Sequence, residues 1–164
     1  MSTSTTLARG RTSPKTPAGS VQTWRAMLEV HAEIVGQLER GFRARHDLSV
    51  SEFDVLINLG PREELRHGEL ADRVILSRTA LTRLIDRLIA RGLLTRTASP
   101  GDQRAVVISL TDAGRTVRRA AARTNAAVVR APFAALDPQQ LLVLDQTIHR
   151  LHDAARAATE GPER

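Results

Sequence analysis

The sequence predicts a mainly α-helical fold with one small β-hairpin. Three observations point there: apolar residues recur at spacings of three and four through most of the chain, one β-branched stretch near residues 93–110 is split by a Pro-Gly turn, and cap residues punctuate the segments between. At 164 residues and 41% hydrophobic content, the chain has the size and apolar supply of one compact domain.

Residues 1–20 are rich in Ser, Thr, Pro and Gly and include Arg9, Arg11 and Lys15, a composition that buries too little apolar surface to fold alone. A disordered basic tail is expected there. From Val21 to His46, the positions Trp24, Met27, Leu28, Ile34, Val35, Leu38 and Phe42 form one stripe of a long helix. Ser49 and Glu52 make an S-x-x-E capping box that opens a second helix, with Phe53, Leu56 and Ile57 facing inward and a stop at Gly60-Pro61. Between that stop and the next helix, Glu63 and Glu64 read as solvated turn residues. A short helix follows from about Gly68 to Val74, with Leu70, Ala71 and Val74 on its buried side. Ser77 then caps a helix running to Arg91, where Gly92 supplies the stop. Strands are expected over Leu93–Ala98 and Ala105–Leu110, joined by Ser99-Pro100-Gly101-Asp102. Thr111 caps a helix extending to about Pro132, and Asp137-Pro138 starts a last helix with Leu141, Leu144, Ile148, Leu151 and His152 along one face.

The order helix, helix, short helix, helix, hairpin is that of a winged helix-turn-helix, whose second core helix lies in a DNA major groove. Projected at 100° per residue, the helix after Ser77 buries Leu81, Leu84, Ile85 and Leu88. Its other face carries Thr79, Arg83 and Asp86, flanked by Thr82 and Arg87. Arginine can bond guanine O6 and N7 together, and threonine can donate, accept or touch a thymine methyl. Net charge agrees: it is +6, and Lys15 is the only lysine among 24 basic residues, so the cations are guanidinium groups suited to phosphates and base edges. The chain has no cysteine, which excludes disulfides, thiolate metal sites and thiol redox sensing. Aromatic residues are too few for the stacked platforms that bind single strands. No run is long enough to span a membrane and no apolar signal follows the basic N-terminus, so a cytoplasmic protein is expected.

The stretch from Leu70 to Gly114, LADRVILSRTALTRLIDRLIARGLLTRTASPGDQRAVVISLTDAG, resembles the MarR family of transcriptional regulators. Its most specific pieces are SRTALTRLIDRLIARGL, the D-x-R of Asp102 to Arg104, and LTDAG at Leu110 to Gly114. The resemblance implies a homodimer on palindromic double-stranded DNA. Residues 21–158 would form the family domain, with dimerisation helices at 21–46 and 112–158 flanking a winged segment at 49–111, and a short tail at 159–164. Carried over by position, Ser77, Arg78, Thr79, Thr82, Arg83 and Arg87 fall on the major-groove side. Asp102, Gln103 and Arg104 fall on the wing, with Arg104 directed to the minor groove and Asp102 bracing it. Asp86 is expected to pair with a wing or neighbouring arginine. The sequence departs from the family at Gln103, which replaces a second basic wing residue, and at Gly68, which stands where a Ser or Thr cap usually begins the third helix.

The resemblance further implies a repressor released by a small aromatic or phenolic anion, for which Trp24, His31 and Asp54 are candidate lining residues; packing is the competing role for Trp24. No catalytic arrangement is readable from the spacing of His31, His46, His67, His149 and His152, and no enzyme or cofactor is expected. His149 and His152, with Asp145 and Asp153 nearby, have a spacing that can hold a metal, against the plainer reading of surface residues. The alternative function is a winged-helix interaction or ligand-binding module without operator binding. Cations on both reading elements, Arg83 and Arg104, favour DNA.

Overall fold

A computed structural model describes residues 19–99 and 102–159. They form α1 (Ser20–His46), α2 (Val50–Asn58), β1 (Glu64–Arg66), α3 (His67–Ala71), α4 (Arg78–Ala90), β2 (Leu94–Ser99), β3 (Asp102–Leu110), α5 (Asp112–Phe133) and α6 (Pro138–Thr159). The chain divides into two units between Glu33 and Ile34. In the first, the opening turns of α1 leave Val21, Trp24, Leu28 and Val30 exposed.

The second unit holds the core. Phe42 of α1, Leu56 of α2, Leu70 of α3, Leu81, Ile85 and Leu88 of α4, Leu94 of β2 and Ile108 of β3 are all fully buried. Each contributes ~2 kcal/mol by leaving water. The rings of Phe42 and Phe53 lie 4.5 Å apart, centre to centre, and join α1 to α2.

Local chemistry explains the helix ends. The Ser49–Glu52 capping box is formed in both directions: Glu52 N–H donates to Ser49 Oγ at 3.1 Å, and Ser49 N–H to Glu52 Oε2 at 2.8 Å. Glu39 of α1 accepts a further amide of α2, from Val50, at 2.7 Å. Arg118 of α5 donates to the carbonyls of Leu56 and Ile57 at the other end of α2. Asp137 and Gln140 exchange side-chain and backbone hydrogen bonds at the start of α6. Asp47 turns the chain after α1 in the left-handed region, at φ 51°.

Three expectations are corrected. The sheet is three-stranded and antiparallel, in the order β1-β3-β2, because Glu64–Arg66 adds to the free edge of β3 with Leu65 opposite Ile108. Glu64 is therefore a strand residue. Glu63 is half-buried and pairs with Arg73 at 2.9 Å; the hydrogen bond from that guanidinium and the Gly60 amide hold its carboxyl below the usual range. Second, α3 starts at His67, with Glu69 accepting the Arg66 amide at 2.6 Å, and ends at Ala71, while Val74 stays buried in the following turns. Gly68 is inside the helix. Third, β3 begins at Asp102, paired with Ser99, so only residues 100 and 101 separate the strands.

His46 at the end of α1 is half-buried, with Nε2 2.8 Å from Thr124 Oγ1 of α5. Burial, then the charges of Arg45 and Arg123, lowers its pKa from the ordinary value near 6.5. The unfolded chain thus takes up this proton at higher pH than the folded one, so the stability is complete above about pH 6.5 and declines as pH falls toward the folded pKa. Urea titrations at pH 7.5 and 5.5 should show acid destabilisation that is smaller in His46→Gln; equal slopes would exclude this histidine as the source.

Candidate nucleic-acid interface

The position of α4 follows from its ends and its apolar back. Ser77 caps the start, its Oγ accepting from Ala80 N–H at 3.2 Å. At the other end Gly92 takes φ +68°, its N–H bonds to Ile89 and that of Leu93 to Leu88. This is the Schellman arrangement, with the buried Leu93 and Leu88 side chains behind it. Leu81, Leu84, Ile85 and Leu88 are buried, while Ser77, Arg78, Thr79, Thr82, Arg83, Asp86 and Arg87 are exposed. Arg91, past the last turn, reaches Asp47 at 3.2 Å and Glu52 at 3.6 Å, tying the helix to the junction of α1 and α2.

The exposed face is not uniformly available. Ser77 has its oxygen committed to the cap. Thr82 Oγ1 lies 3.0 Å from the Arg78 carbonyl and 3.0 Å from Nε2 of His67 on α3. Asp86 pairs with Arg96 of β2 at 2.8 Å, fastening the helix to the strand beside it. No local sequence pattern marks His67, Arg91 or Arg96, since each partner is distant along the chain. The side chains of Asp102, Gln103 and Arg104 lie outside the described residues, though the backbone of all three is in β3.

Beside α4 runs a groove of about 700 Å³ lined by Arg43, Ser49, Ser51, Leu76, Arg83 and Arg87 among others. Of the candidate ligand residues, Trp24 and His31 are exposed in the first unit. Asp54, in the second, accepts from Asn58 Nδ2 at 3.0 Å. His149 and His152 are exposed on α6, and His149 Nδ1 donates to the Asp145 carbonyl at 2.9 Å. That bond and the Asp145 carboxylate raise the His149 pKa, which favours a proton over a metal on the ring. Among the described residues no three His, Asp or Glu side chains gather to hold a metal ion, and no helix is long and apolar enough to cross a membrane.

A helix with an apolar back and a cationic front, preceded by a short helix and followed by a two-stranded ribbon, defines a winged helix-turn-helix. Residues 48–106 match the profile of the MarR family, to which the chain is similar over that winged segment. It is 36% identical over 87 residues to the HTH-type transcriptional regulator TtmR of Methylorubrum extorquens, a match covering 53% of this chain and 45% of that protein. Crystal structures of two MarR family transcriptional regulators of Streptomyces coelicolor share the fold. Sco3205, solved in complex with DNA, superposes with a TM-score of 0.74 at 27% identity, over 86% of this chain and 94% of that one. AbsC does so with a TM-score of 0.74 at 26% identity, over 87% and 99%. The chain spans about half the length of the curated relatives it matches. Both of the first curated relatives are described as HTH-type transcriptional regulators.

Proposed function

We propose that this protein is a sequence-specific, double-stranded DNA-binding transcriptional regulator, acting in the cytoplasm as a homodimeric repressor. The observation that carries the proposal is the exposed face of α4, where Arg78, Thr79, Thr82, Arg83 and Arg87 stand opposite four buried apolar residues. Such a face supplies guanidinium forks for guanine edges and phosphates in the major groove. The wing would add Arg104 in the adjacent minor groove, with Asp102 and Gln103 beside it. The DNA-bound state of Sco3205 lends support. A second copy of the chain covers α6, and its two-fold symmetry calls for a palindromic operator with half-sites about one helical turn apart.

Release by a small aromatic or phenolic anion is the proposed control. The groove beside α4 combines the cations Arg43, Arg83 and Arg87 with the apolar Leu76 and Leu84. An anion engaging Arg83 there competes with DNA for one side chain, so it binds the DNA-free state more tightly, as a switch requires.

Selection from a random duplex pool tests the reading. The wild type should enrich a palindrome and bind it with steep salt dependence. Arg83→Ala should lose about 1 to 3 kcal/mol and relax base preference at one position of each half-site. An unchanged motif would remove α4 from the reading role, and failure to enrich any duplex would leave an interaction module.

A further inference from the structure

Thr82 is exposed on α4, yet its hydroxyl has two protein partners. Oγ1 lies 3.0 Å from the carbonyl oxygen of Arg78, one turn back in the same helix, and 3.0 Å from Nε2 of His67, the first residue of α3. A hydroxyl has a single hydrogen. Either it goes to the Arg78 carbonyl while His67 Nε2–H donates to Oγ1, or it goes to Nε2 of the other imidazole tautomer. Both arrangements leave no hydrogen for a base. Turning the hydroxyl outward breaks the contact with His67 and moves the side chain out of the staggered well that the Arg78 bond selects.

With its one hydrogen committed, the side chain cannot donate to a base, and its methyl group is the part left for an apolar contact. We infer that Thr82 reads the operator through that methyl, packed on the C5-methyl of a thymine, and that His67 is the positioning residue that keeps the hydroxyl turned away. Thymine is the base that offers a methyl group in the major groove. This inference rests on the DNA-binding reading and adds the base class that one side chain selects.

The test uses the full chain and the duplex selected by the wild type, with each thymine of a half-site replaced in turn by deoxyuridine, which deletes the C5-methyl alone. At one position the wild type should lose about fourfold in affinity per half-site, the factor that ~0.8 kcal/mol for one buried methyl represents. Thr82→Val, which keeps the methyl and drops the hydroxyl, should select the same motif and show the same loss. Thr82→Ser, which does the reverse, should bind the thymine and deoxyuridine duplexes alike. His67→Phe, checked for native circular dichroism, should narrow the discrimination because it removes one of the two partners that hold the hydroxyl turned away. If Thr82→Val selects a different base, or His67→Phe discriminates as the wild type does, the clamp is overturned while DNA binding stands. A wild type that binds no duplex overturns the DNA-binding reading and this inference with it.

Discussion

Gly114→Ala is expected to be among the most damaging single substitutions in the molecule, lowering stability by roughly 3 kcal/mol or more and the Tm by about 10 °C. The cause is steric. A Cβ built at Gly114 would stand 2.0 Å from the carbonyl oxygen of Leu93 and 2.9 Å from its carbon, both backbone atoms that no rotamer change can move. That carbonyl is also fixed from the other side, since it accepts from the Thr111 amide at 3.1 Å and lies 3.2 Å from the Thr111 hydroxyl. The same hydroxyl bonds to the Gly92 carbonyl at 2.7 Å and accepts the Gly114 amide at 2.9 Å as the cap of α5. The end of α4, the entry to β2 and the start of α5 therefore meet at one glycine. Thermal denaturation of Gly114→Ala beside Ala113→Gly, an exposed neighbour in the same turn, separates the clash from ordinary helix propensity. A Gly114→Ala protein that melts within a degree or two of wild type would show that the three elements can part without penalty.

This junction illustrates how far the sequence can be read. The LTDAG segment is recognisable as a motif, and Thr111 as a cap, from residue type alone. The reason for its glycine is not, because Leu93 lies 21 positions away and its carbonyl comes close only after the chain has folded back. Local signals were reliable elsewhere too. The Ser49–Glu52 box, the Ser77 cap, the Gly92 stop and the buried stripe of α4 depend on residues within one or two turns of each other. Elements whose cause is remote were missed or misjudged. β1 has three residues in a charged stretch and exists because β3 has a free edge. Glu63 read as solvated because Arg73, its partner, comes from the far side of α3. The exposed face of α4 was predicted correctly as a surface, whereas the tie between His67 and Thr82, which decides what that surface can offer, spans 15 residues and has no periodicity.

Placing charge on α6 should have the largest effect on function. Every described residue of α6 from Pro138 to Ala158 is exposed, including Leu141, Leu144, Ile148 and Leu151, whose three- and four-residue spacing puts them on one face. A 22-residue helix with that much uncovered apolar surface is marginal alone in water, and its stripe is of the kind that marks an interface. The expected cover is the equivalent helix of a second copy, and two carboxylates on the stripe would then face their symmetry mates across a dry seam. Leu144→Asp combined with Ile148→Asp should convert the proposed dimer to monomer at micromolar concentration in analytical ultracentrifugation. Operator affinity should fall by about 100-fold or more, since each winged domain must then find its half-site without the effective concentration that a tethered partner supplies. The residues of α4 are untouched, so the variant should still prefer the selected half-site over random duplex and should retain the same salt dependence per bound chain. That retained preference distinguishes lost assembly from lost folding. A variant that stays dimeric and binds the palindrome at full strength would place the dimer seam on another surface.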